Sequence, residues 1–252
     1  ALTTAQVDAL TTAQLQQLSE TLVGNLSTDQ LQALSTGDIQ SLKASQVAAL
    51  KTLQVANLTT GQIQALTSDQ ASGLSNLQAA ALTTDQVAAI SAETLKKLSL
   101  AAFSAFTSDQ IGNLTTAQVD AITTAQLTSL KSLQMAGLTS AQIEAFNTTQ
   151  VAALGSAQVS GFTTDQISGI SSSDLNMLST SAIAGLSTAQ IAALTTAQVG
   201  ALATQQLAAM KTSQITALTT DQVVALGTNQ MSALKTSQVA ALTTAQVASI
   251  ET

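Results

Sequence analysis

Large apolar residues recur at two fixed places in a frame of eight. Stepping by eight from Leu2 reaches Leu10, Leu18, Leu26 and so on to Leu242 without an insertion or deletion, and 31 octads span residues 2–249. Position 1 is Leu in 24 octads and Ile, Phe or Met in the other seven, while position 6 is large and apolar in 29, the exceptions being Ala71 and Ala79. The polar places are as regular: Thr or Ser at position 3 in 26 octads, Gln at position 5 in 25, and a small residue at position 8 in 25. Position 7 varies, as an outward-facing site does. The consensus is Leu-Thr-Thr-Ala-Gln-Val-Ala-Ala.

Each octad carries helix start signals. A Thr or Ser followed three residues later by Gln is a capping box, in which the hydroxyl accepts from the third helical N–H and the Gln side chain reaches back to the cap's own N–H. Thr3 with Gln6, Thr59 with Gln62, Thr115 with Gln118 and Thr219 with Gln222 fit this spacing. The apolar residue before the cap and the one four into the helix then form a hydrophobic staple, as in Leu2 with Val7 and Leu218 with Val223. Asp29, Asp69, Asp85, Asp109, Asp165 and Asp221 stand at the second helical place, where the helix dipole favours an acid. The spacing predicts about one and a half turns of helix per octad before the next apolar residue restarts the motif.

A single long helix would place residues eight apart about 80° around the axis, so the Leu row would wander over every face and a coiled coil is excluded. The pattern predicts an all-α solenoid of very short helices, one per octad, in a single continuous domain over 1–252. Positions 1 and 6 turn to a shared core; Leu2, Val7, Leu10, Leu58, Ile63, Leu114, Val119, Leu194, Val199, Leu218 and Val223 are representative core residues. A β-solenoid is the alternative, because two successive Thr suit a strand. Helices this short do not form alone in water, so stacking of neighbouring coils has to stabilise them, with small residues at position 8 letting the coils approach.

A longer period, of ten octads, lies over the first. Leu22, Ala102 and Ala182 replace Gln at that interval, Thr94 and Asp174 do so once more, and Lys51, Lys131 and Lys211 repeat with them. Either a ten-octad unit was duplicated, or ten octads make a whole number of superhelical turns and bring these residues to one edge. Lys43, Lys51, Lys131, Lys211 and Lys235 occupy the cap position. An ammonium group accepts no hydrogen bond, so irregular corners are expected there, with capping through position 3.

Composition narrows function by removing chemistry. The chain has no His, Cys, Trp, Tyr, Pro or Arg, which leaves a Ser/His/Asp or Cys/His system without its base and a zinc site without its usual ligands. No catalytic residue, cofactor or metal is therefore expected, and the chain reads as a non-enzyme. Fourteen acids against seven Lys give a net charge of −7, which disfavours nucleic acid and anionic membrane surfaces. No apolar stretch approaches the roughly 18–20 residues of a membrane span. Ala1 opens directly into the octad with no signal-peptide pattern, as a processed chain or an excised fragment would.

The remaining polar residues are expected to be structural. Asp38 and Asp174, in the Gln slot, are read as solvated or cap-bonded, and Lys96 and Lys97 beside Glu93 as a charged surface. Asn25, Asn57, Asn113 and Asn147 each open an Asn-x-Ser/Thr triplet that the octad itself creates. The Gln array is expected to form ladders between coils, each amide donating and accepting. Regular Thr rows raise an ice-binding surface as a minor alternative, although the hydroxyls at position 2 are needed as caps.

The TTAQVAAL-type octads, with neither Cys nor Arg and an acidic balance, resemble the repetitive parts of large secreted bacterial surface proteins and adhesin-like fibres. That resemblance implies an extracellular or cell-surface setting and a mechanical role. The expected function is an elongated rod, stalk or filament subunit whose partner is itself, end to end or side by side, with no small-molecule substrate. Near-consensus octads at both ends agree with stacking or with a longer array. A solenoid that binds a peptide or glycan is the alternative, and it calls for a localised aromatic or charged patch.

Overall fold

The computed structural model describes residues 2–250. Thirty-one helices of four to seven residues follow one another from Thr4–Asp8 to Thr244–Ile250, one per octad, and there are no strands among the described residues. The protein is an all-α solenoid of short helices rather than a β-solenoid. The chain falls into two compact units, Ala1–Ser129 and Leu130–Thr252, and the same local rules operate inside each.

The caps define where every helix begins. Thr3, Thr59, Thr115 and Thr219 hold extended backbone, accept from the N–H of Gln6, Gln62, Gln118 and Gln222, and complete full boxes with them. Inside the octad the carbonyl of position 2 takes the N–H of position 6, as in Val7 to Thr3 at 3.0 Å, and the carbonyl of position 6 takes the next position 1 N–H, as in Leu10 to Val7 at 3.2 Å. No described residue has a positive φ, so each corner is turned by extended backbone at positions 1 and 2 and needs no glycine.

The length of a coil emerges from contacts that no eight-residue period encodes. In the first unit Gln46 reaches Leu18 and Leu15, 28 and 31 residues back, and Gln32 reaches Asn57, 25 residues on. In the second unit Gln198 reaches Ile170 and Ile167 at the same separations of 28 and 31 residues. A coil therefore takes about three and a half octads, and the helices that pack on one another across neighbouring coils stand three places apart in the chain, as Thr4–Asp8 does with Thr28–Ala33.

Coils face one another with a polarity. Val7, Leu15 and Val23 are fully buried although no described coil precedes theirs, whereas Val239, in the same position of the last octads, is 49% exposed. Gln6 and Gln14 are exposed, whereas Gln230, Gln238 and Gln246 are buried. Position 6 is thus covered by the following coil and position 5 by the preceding one. Of the expected core, Leu58, Ile63, Leu114, Val119, Leu194, Val199, Leu218 and Val223 are buried. Leu2 is a correction at 43% exposed, and Leu10 is half-buried, because position 1 of the first octads has no coil beneath it among the described residues.

Small residues mark the closest approaches. A Cβ on Gly161 would lie 2.5 Å from the Cα and carbonyl oxygen of Ser132, and one on Gly185 2.5 Å from the Ser156 Cβ. Position 8 of one coil therefore rests on position 3 of the coil before it. Ala79 lies on the helix Asn76–Ala81, which packs on Leu100–Phe103, and both Ala79 and Phe103 are fully buried. Phe103 also meets Phe106 edge-on, at 5.5 Å between centroids.

The lysine octads are regular, contrary to the expectation of irregular corners. Lys43, Lys51, Lys131, Lys211 and Lys235 keep extended N-cap backbone, and their helices start at position 3 like the others. Only the hydroxyl half of the box is lost: each lysine N–H still donates to the Gln three residues on, at 2.6–2.8 Å. At Lys43, Lys131, Lys211 and Lys235 the Gln N–H turns instead to the cap's own carbonyl. Lys131→Thr restores the missing acceptor and is expected to stabilise the protein by about 1 kcal/mol, read as a higher urea midpoint. Gly161→Ala is expected to lower that midpoint, because Cβ meets backbone that cannot rotate away.

Candidate functional site: a glutamine ladder between coils

Backbone bookkeeping singles out one group per octad. A helix of five or six residues satisfies few of its own end groups, and the carbonyl of position 1, just before the cap, has no helical partner at all. It is buried with its leucine, and an unpaired buried carbonyl costs about 1–3 kcal/mol.

The Gln of a later coil supplies that partner. Gln62 accepts the Thr59 N–H at 3.0 Å through Oε1 and donates through Nε2 to the carbonyls of Leu34, at 2.8 Å, and Leu31, at 2.7 Å. In the second unit Gln238 accepts from Lys235 and donates to Met210 and Leu207, both at 2.8 Å. One carboxamide therefore closes three backbone groups on two coils. The chemistry demands an acceptor and a donor on one arm, which glutamate and lysine do not combine. The expected ladders between coils are present, but they run from amide to backbone rather than from amide to amide.

Gln is absent from the slot in six octads. Asp38 and Asp174 are cap-bonded: Ser35 donates N–H and hydroxyl to Asp38, and Ser171 donates its hydroxyl to Asp174. A carboxylate has nothing to donate to the coil before. Thr94 makes one long contact of 3.5 Å to the Leu66 carbonyl, and Ala102 and Ala182 make none through their side chains. A cavity of about 10 Å³, the room of one water, lies beside Asp174 between Phe146 and Leu154, where two successive amides are missing.

The other candidate residues serve the same framework. Lys96 pairs with Glu93 on the surface. Asn57 and Asn113 donate to carbonyls four residues back, Asn25 accepts from Lys51 Nζ at 3.1 Å, and Asn147 is itself an N-cap. Hydroxyls at position 2 are engaged in caps, which removes them from any Thr array at the surface. Among the described residues, no three Asp or Glu gather as a metal set would. The donor role of Gln between coils was expected, but its acceptor, the backbone of the preceding coil rather than another amide, was not; a signal for the donor exists in that a capping box accepts Glu as readily as Gln, and no octad has Glu at position 5.

Repetition of this one carboxamide motif is also what comparison with known proteins detects. A family model described as the ALTTAQ repeat matches residues 23–60, 79–116, 135–172, 167–204 and 199–236, more than half of the chain. The chain belongs to the ALTTAQ repeat family. No curated relative matches it. The family's naming hexapeptide is the stretch from position 8 through the apolar corner and the two cap residues to the Gln, so the bonded unit and the family signature are one segment.

The interior and edge amides of this ALTTAQ protein are expected to respond differently to substitution. Gln118→Ala removes the acceptor of the Thr115 N–H and the donor to Ile90 and Val87, with an expected cost of about 2–4 kcal/mol. Gln118→Glu is expected to cost at least as much, since it sets a buried carboxylate against those carbonyls. Gln6→Glu, exposed and bonded only to Thr3, is expected to cost under about 1 kcal/mol. Urea denaturation of the three variants measures the order.

Proposed function

We propose that this protein is a structural repeat protein, an elongated rod or stalk segment of extracellular or cell-surface setting that associates with itself. The observation that carries this reading is the use of the Gln: the most repeated polar side chain is consumed in joining coil to coil, so what the repeat multiplies is stacking. The octad register runs through residues 2–249 without a break, which suits a continuous stack. The resemblance to repetitive segments of secreted bacterial surface proteins supports the setting.

A second reading, a solenoid that binds a peptide or glycan, draws on a different observation. Leu53, Leu77 and Leu100 are exposed on the helices Thr52–Ala56, Asn76–Ala81 and Leu100–Phe103, each of which packs on the next. They form a short apolar row across successive coils of the first unit, aliphatic where an aromatic or charged patch was the expected mark of binding.

Small-angle scattering at low concentration tests the proposal. About nine coils at the roughly 8–10 Å spacing of packed helices give a rod on the order of 80 Å long, with a radius of gyration near ~24 Å. A value near ~18 Å, that of a globular chain of this length, would contradict the rod. Replacing Leu53, Leu77 and Leu100 together by Thr is expected to leave the rod dimensions unchanged.

A further inference from the structure

We propose that each unit carries an opening seam, at Thr94 and Ala102 in the first and at Asp174 and Ala182 in the second, where neighbouring coils part while the rest of the stack stays closed. The seam concerns the ladder alone and does not depend on the setting or the self-association proposed above. Two successive rungs are missing at each place. In the first unit Thr94 stands 28 residues after Leu66 and reaches its carbonyl only at 3.5 Å, and Ala102, 28 residues after Leu74, has no side-chain donor to offer. On either side Gln86 holds Leu58 at 2.6 Å and Gln110 holds Leu82 at 2.5 Å. In the second unit Asp174 and Ala182 stand at the same separation from Phe146 and Leu154, between the rungs from Gln166 to Leu138 and from Gln190 to Phe162. Leu74, Phe146 and Leu154 are buried, and their carbonyls receive no side-chain donor among the described residues.

The helices at the seams are kept while their bond to the coil before is given up. All six octads without Gln are capped by Ser, at Ser19, Ser35, Ser91, Ser99, Ser171 and Ser179, whereas Ser caps only three of the 25 octads that have Gln. Serine is among the strongest N-caps. The hydroxyls of Ser91, Ser99, Ser171 and Ser179 each accept the N–H three residues on, at 3.1–3.2 Å, without a full box. A cap that works without Gln starts the helix locally and leaves the layer attached by apolar packing alone.

That packing is incomplete in the second unit, where the cavity of about 10 Å³ lies beside Asp174 between Phe146 and Leu154. In the first unit Phe103 and Phe106 are buried within and just after the Ala102 octad, so the second seam is the looser. Segments with fewer bonds to their surroundings open first, and helices this short do not survive once a side of their layer is uncovered. The two seams are 80 residues apart, which gives the longer sequence period a structural content: one weak joint in each unit.

Hydrogen exchange of the full chain, followed by mass spectrometry, tests the seam. The backbone amides of Ser172–Met177 and Thr180–Gly185 are expected to exchange at least about tenfold faster than those of Thr196–Ala201 and Thr204–Ala209. Asp174→Gln with Ala182→Gln supplies both rungs and is expected to bring the fast helices to the rate of their neighbours while the rest of the chain is unchanged. Gln54→Ala with Gln62→Ala removes two successive rungs, to Leu26 and Leu34, and is expected to create a new fast region at Thr52–Ala56 and Thr60–Gln64. Seam helices as slow as their neighbours in the wild type, or fast exchange that persists after both rungs are supplied, would overturn the proposal. If the filled variant does not fold, the Gln54/Gln62 pair decides: fast exchange confined to its helices supports the seam, and unchanged exchange there defeats it. A compact chain by scattering that still shows fast seams defeats the rod reading and leaves the seam standing.

Discussion

The hydrogen bond from a glutamine Nε2 to a position 1 carbonyl of the preceding coil, as from Gln62 to Leu34, is the constraint on which the structure depends. Extended backbone at each corner allows a turn in every octad without glycine or proline, but it strands one carbonyl per octad in the core. A carbonyl so placed needs a donor from outside its own helix. The arm that reaches it is fixed at its other end by the cap N–H, so the bond also sets how far each coil is rotated over the one before. Coil length follows from that geometry.

Packing then completes what the bond begins. Position 6 projects toward the following coil and position 5 toward the preceding one, so each layer is apolar on one side and lined with amides on the other. Helices of four to seven residues have no independent stability. They persist because both sides of the layer are closed at once, and the edges of the stack are where that closure is missing. The exposure of Leu2 against the burial of Leu58 or Leu218 is a direct expression of this rule.

Much of the local fold is legible in the octad. Thr3 with Gln6 and Thr115 with Gln118 announce their helices through capping chemistry that acts within a single turn, and such short-range chemistry is readable from one sequence. The coil length is not, because the partners of Gln62 are Leu34 and Leu31, a full coil away, and every intervening octad looks alike. Lys131 shows the opposite failure. Sequence logic treats the cap as broken, yet the Gln half of the box and the cap's own carbonyl suffice to keep the corner regular.

Exchange of the glutamine side-chain amide protons, followed by nuclear magnetic resonance, tests the ladder most directly. If each interior Nε2 is held between two carbonyls of the preceding coil, the carboxamide protons of Gln62, Gln118 and Gln198 exchange at least a hundredfold more slowly than those of the exposed Gln6 and Gln14 at low protein concentration. Uniform exchange at the rate of free glutamine across all of these residues would contradict the account.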